Sequence, residues 1–74
     1  METTIYTKEH KFMVERLKQA RKDAGLSQEQ VASMLKHNQS FVSKLESGQR
    51  RVDIVELRMF AKLYGKPLTY FVPD

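Results

Sequence analysis

Apolar residues recur along this chain at the three- and four-residue spacing of helices, and residues that stop helices separate the recurrences. From about Lys8 to Ala24, Met13, Leu17, Ala20 and Ala24 share one helix face, and Phe12 widens it. Gly25 ends the pattern, and the apolar Leu26 behind it fits a left-handed C-terminal cap with its hydrophobic closing contact. Ser27, with Gln30 three residues on, predicts a capping box that opens a second helix with Val31, Ala32 and Leu35 on its inner face. After a short break at Lys36 and His37, Asn38 caps a third helix, which Gly48 closes. Asp53 with Glu56 repeats the capping pattern, and Ile54, Leu57, Phe60, Ala61 and Tyr64 trace a buried face up to Gly65. Pro67 suits the first position of a short last helix, with Leu68 and Phe71 pointing inward and Pro73 ending it. No linker or repeat divides the pattern, so residues 1–74 are expected to form one all-α domain of five helices, with residues 1–7 as an N-terminal arm.

A chain of 74 residues buries only about 60% of the surface its unfolded form exposes, so the core must be small. There is no cysteine, and His10 and His37 stand alone, which excludes a disulfide framework and a thiolate metal site. No cofactor is expected, and a reducing cytoplasm is the compartment this composition suits. The apolar runs are too short to span a bilayer, and Met1-Glu2-Thr3-Thr4 lacks the basic start and apolar stretch of a signal peptide, so no membrane partner is expected. Thirteen Lys and Arg against nine Asp and Glu give a net charge of +4 and an isoelectric point near 9.6. That balance suits a polyanionic partner but says nothing about groove or sequence. The chain carries no P-loop, glycine-rich dinucleotide turn or metal-ligand spacing, and Ser33-Met34-Leu35-Lys36 lacks the other elements of the acyl-transfer site it spells. An enzyme is not expected.

The third helix is the most informative element. Wrapped at about 100° per residue, Phe41, Val42 and Leu45 fall on one side, and Gln39, Ser40, Ser43, Lys44 and Ser47 fill a contiguous arc opposite. No carboxylate interrupts that arc. Glu46 lies beside its edge, between Val42 and Gln39. Any surface helix has a polar side, so the arc gains meaning from its neighbours.

The run Gln39-Ser40-Phe41-Val42-Ser43-Lys44-Leu45-Glu46-Ser47-Gly48-Gln49-Arg50, preceded by Ser27-Gln28-Glu29-Gln30-Val31-Ala32, resembles the Cro/C1-type helix-turn-helix family, also called the Xre family. The likeness extends over roughly residues 12–72 and includes small Ala32 and apolar Val31, Leu35, Val42 and Leu45 where the two helices meet. It implies a lambda-repressor-like fold whose second and third helices form the motif. By the same resemblance, Gln28 anchors a phosphate at a helix N-terminus. Asn38, Gln39, Ser40, Ser43 and Lys44 face base edges, where Gln39 can pair with adenine and Lys44 with guanine. Ser47, Gln49, Arg50 and Arg51 grip the sugar-phosphate backbone, and Arg21 reaches Glu46 in an ion pair that orients the recognition helix. The family often places a glycine of positive φ in the turn, where this chain has Lys36.

The function implied is a sequence-specific regulator of transcription that binds double-stranded DNA, a repressor on a palindromic operator as a homodimer. An antitoxin with a toxin partner, a restriction-modification controller, or an interaction module that no longer binds DNA would share the fold. Glutamine, serine and lysine at the recognition positions, in place of Asp or Glu, favour DNA. Tyr64, Tyr70, Phe71 and Val72 concentrate apolar surface near the C-terminus. With Leu68 and Phe71 in the core, Tyr70 and Val72 are the expected dimer interface.

Overall fold

The computed structural model describes residues 7–72 of the chain. Thr7 accepts a hydrogen bond from the His10 amide and so caps α1, Lys8–Asp23. Ser27 and Gln30 form a reciprocal capping box at the start of α2, Gln28–Leu35. Asn38 caps α3, Gln39–Glu46, by accepting from the Phe41 amide, and Asp53 with Glu56 forms a second capping box on α4, Ile54–Tyr64. Each such cap satisfies amides that helical bonding leaves open and contributes about 1 kcal/mol. The expected fifth helix is a single 3-10 turn, Leu68–Phe71, with Pro67 as its extended N-cap and not its first helical residue. Four α-helices and this turn make up the regular structure among the described residues.

Helix ends follow the expected chemistry. Past α1, the Gly25 amide donates to Lys22 O and the Leu26 amide to Arg21 O, at 3.0 and 3.2 Å; Leu26 then packs on the core. Between α2 and α3 the chain turns through Lys36, whose φ of 60° and ψ of 40° are left-handed. It is the one non-glycine of positive φ among the described residues. An L-residue pays roughly 1–2 kcal/mol for that conformation. The turn persists because the amides of Lys36 and His37 close onto Ser33 O and Ala32 O at 3.1 and 2.9 Å, while Val31, Ala32 and Val42 are buried on both sides of it.

The core draws on every element: Leu17 and Ala20 from α1, Val31 and Ala32 from α2, Val42 and Leu45 from α3, four residues of α4 and Phe71 of the turn. Phe60 and Phe71 are its largest fully buried side chains, each worth about 3 kcal/mol of apolar transfer. α1 packs against α3, α4 and the 3-10 turn, and so forms the platform on which α3 is held.

Several sequence expectations need correction. The buried stripe of α1 runs His10, Val14, Leu17 and Ala20; Met13 is half-buried and packs on the core as expected, Phe12 is half-buried, and Ala24 is exposed past the helix end. Ile54, placed on the buried face of α4, is 59% exposed because it begins the helix, and Leu68 stays 36% exposed at the mouth of a turn too short to bury it. Glu46, expected beside the polar arc and paired with Arg21, is buried and makes that pair. The expected arm falls outside the described residues except for Thr7, which belongs to the α1 cap, and Pro73 also lies outside them. No helix among the described residues is long and apolar enough to cross a membrane.

Candidate nucleic-acid interface

The exposed side of α3 is set by the buried side. Val42 and Leu45 are 1% exposed each, which turns Gln39, Ser40 and Lys44 outward and leaves Ser43 half-buried between them. The one carboxylate of α3, Glu46, points into the domain, so the outward arc carries no negative charge. Lys44 has no ion pair among the described residues. Asn38 has its Oδ1 occupied by the Phe41 amide and the Ser40 hydroxyl, at 3.2 and 2.7 Å, which leaves its amide nitrogen to donate elsewhere. Ser47 caps the C-terminal end of α3 and donates its hydroxyl to Lys44 O at 3.2 Å.

Behind this arc lies a polar network that joins three helices. Arg21 donates from Nε to Glu46 Oε2 at 2.7 Å and from Nη2 to Oε1 at 3.1 Å, while its Nη1 donates to Leu26 O at 2.8 Å. Arg21 and Glu46 side chains are 12% and 4% exposed. The hydrogen bond to Glu46 raises the guanidinium above its ordinary pKa against the opposing effect of burial. Gln28, the first residue of α2, donates to Glu46 Oε1 at 3.1 Å, and its own Oε1 accepts from Gln39 Nε2 at 3.3 Å. Glu46 thus holds Gln28, and Gln28 holds the first outward residue of α3. Tyr64 lies near the same pair, and burial first, then the Glu46 charge, pushes its phenol up.

The loop after α3 divides the residues expected on phosphate. Gln49 and Arg51 are exposed. Arg50 instead makes a fork with Glu56, Nη1 to Oε1 at 3.0 Å and Nη2 to Oε2 at 2.9 Å, and also donates to Arg51 O at 3.0 Å. Its guanidinium sits 4.9 Å from the Phe41 ring centroid, and His37 stacks on Phe41 with centroids 4.0 Å apart. The Arg50 hydrogen bonds hold the Glu56 carboxyl below the usual carboxylate range. Arg50 therefore clips the loop to the cap of α4. Sequence reasoning missed this clip, the His37–Phe41 stack and the Gln28–Gln39 contact; an acidic residue with two roles leaves no periodic signal.

At the C-terminal end, Tyr70 is half-buried with the Arg16 guanidinium and the Lys66 ammonium 4.6 and 4.7 Å from its ring centroid. These cations tie Tyr70 to its own domain. Val72 is 43% exposed.

Comparison with known proteins agrees with this geometry. A helix-turn-helix family model matches residues 17–71. No curated protein sequence matches the chain. Among solved structures, the S. venezulae BldD DNA-binding domain superposes with a TM-score of 0.78 at 26% identity, over 90% of this chain and 100% of that one. A second structure of the DNA-binding domain of BldD gives 0.78 at 27% identity, over 88% and 94%. A crystal structure of Fe(II)-HppE with an alternative substrate gives 0.77 at 22% identity over 86% of this chain but 33% of that one, a likeness of fold alone.

Proposed function

This chain belongs to the Cro/C1-type helix-turn-helix family, also called the Xre family, and on that premise we propose that it is a sequence-specific DNA-binding regulator of transcription, a repressor that binds a palindromic operator as a homodimer. The observation that carries the reading is the outward arc of α3, polar or basic throughout, with the helix's one carboxylate buried behind it. Gln39 reads adenine and Lys44 guanine in the major groove, with Ser40, Ser43 and the amide of Asn38 as adaptable partners. Gln28, Ser47, Gln49 and Arg51 position the domain on the backbone. One recognition helix reads only a few base pairs, so specificity over a full site comes from a two-fold pair, with exposed Val72 and the edge of Tyr70 at the contact.

Selection of bound sites from a random duplex pool, followed by anisotropy titration of the recovered site, tests this. The expected result is a two-fold symmetric site whose affinity falls about a thousandfold or more between 50 and 200 mM salt, as for six or more phosphate contacts in the pair. Failure to enrich any duplex, or a flat salt response, would refute DNA binding; enrichment of a single asymmetric half-site would refute the homodimer alone.

A further inference from the structure

Away from the α3 arc, α4 and the 3-10 turn leave an apolar face uncovered. Val55 is 72% exposed, the most of any large apolar side chain among the described residues. With Met59 and Leu68 it lines an open groove of about 670 Å³ whose charged lining is Arg58, Lys62 and Lys66, with no carboxylate. Lys66 is partly neutralised by Asp23 at 3.4 Å, but Arg58 and Lys62 have no ion pair among the described residues. Val55, Met59 and Lys62 lie at helical spacing along one side of α4, so the strip runs for about 10 Å, two turns of helix. The groove therefore sets exposed aliphatic groups beside unpaired cations.

The charges decide what fits. A duplex would lay phosphates on the cations but leave Val55, Met59 and Leu68 facing a charged backbone. A second copy across a two-fold axis would bring Arg58 and Lys62 against their own equivalents. We propose that this groove docks an acidic amphipathic helix of another protein, with aliphatic residues at i, i+3 or i+4 and i+7 seated on Val55, Met59 and Leu68 and flanking Asp or Glu paired to Arg58 and Lys62. The groove lies apart from the residues assigned to bases, so this docking is independent of whether α3 binds DNA.

The test uses the full chain, isotopically labelled for backbone amide NMR, and three capped helical peptides. One has leucines at that spacing on a glutamate background, one has the same leucines on a lysine background, and one has alanines replacing the leucines on glutamate. The glutamate–leucine peptide is expected to shift Val55, Met59, Lys62 and Leu68 and leave Gln39–Lys44 unmoved, while the other two bind at least tenfold more weakly. Arg58→Gln with Lys62→Gln, its fold checked by circular dichroism, should weaken the first peptide at least tenfold and leave the slope of log duplex affinity against log salt unchanged. Val55→Asp should also weaken it at least tenfold. Equal binding of the lysine peptide, shifts confined to α3, or no saturable binding of the first peptide would overturn the proposal. So would a shallower salt slope on duplex DNA in the charge-neutralised variant, which would make the strip a phosphate contact. Dissociation of a dimer by Val55→Asp would assign the groove to a second copy.

Discussion

Two arginine–carboxylate forks built from the same groups do different work because they sit at different depths. Arg21 and Glu46 are 12% and 4% exposed and join α1 to the end of α3, with Gln28 of α2 bound to the same carboxylate. Arg50 and Glu56 are 40% and 18% exposed and join the loop after α3 to the cap of α4. A paired charge withdrawn from water gains little over a hydrophobic pair, but loss of one partner leaves the other without solvent or counter-charge. An exposed pair is screened, and either partner can return to water. The inner fork therefore aligns α3 through the penalty for breaking it, whereas the outer one clips a loop that solvent can open.

The largest expected effect follows from that difference. Glu46→Gln should lower stability by about 2–4 kcal/mol, a fall in Tm of more than about 10 °C for a domain of this size, measured by thermal unfolding. Arg21→Met combined with Glu46→Leu should recover most of the loss, because an apolar pair leaves no buried charge. A loss of under about 1 kcal/mol for Glu46→Gln would place the inner fork in the same class as the outer one.

Glu56→Gln should cost about 0.5–1 kcal/mol, since the pair is half in water and glutamine can still accept from the Asp53 amide. The sign with pH follows from the carboxyl being held below its ordinary range, chiefly by the Arg50 hydrogen bonds. The unfolded chain binds the proton more readily, so the contribution is complete above the ordinary carboxylate pKa and is lost as pH falls through the lower, folded value. Denaturant titrations of the parent chain and Glu56→Gln should therefore converge in acid and separate towards neutrality. On duplex DNA the same variant frees Arg50 for a phosphate, and the slope of log affinity against log salt should steepen by about 0.9 per domain. An unchanged slope would show that Arg50 lies out of reach of the backbone whether the clip is closed or open.

The outer fork also marks where sequence reading ends. Caps were legible because they are local: Ser27 with Gln30 and Asp53 with Glu56 are three residues apart, and the structure forms both boxes. The core faces of α2 and α3 were legible from Val31, Ala32, Val42 and Leu45. The packed face of α1 is legible from Met13, Leu17 and Ala20, but its ends are not, because a search for apolar residues overlooks a buried His10 and credits an exposed Ala24. The Arg21–Glu46 contact came from family resemblance, since a separation of 25 positions carries no periodicity that would join them. Arg50 looked like a free cation for phosphate because Glu56 already had a role as a cap, and nothing in the pattern says that a carboxylate serves both.

The smallest effect concerns the turn between α2 and α3. Lys36 holds a left-handed conformation, φ 60°, that glycine adopts without steric cost but with a greater loss of chain entropy. The two terms oppose, and Lys36→Gly should raise stability by about 0.5 kcal/mol, whereas Lys36→Ala, which keeps the Cβ, should leave it nearly unchanged. If the forks restrain separate parts of the molecule, the glycine gain should be the same in the parent, Glu46→Gln and Glu56→Gln backgrounds, within about 0.5 kcal/mol. A larger gain in Glu46→Gln alone would mean that the buried carboxylate holds α3 against the strained turn. The turn's left-handed lysine would then depend on the inner fork, and the outer fork would remain a local clip.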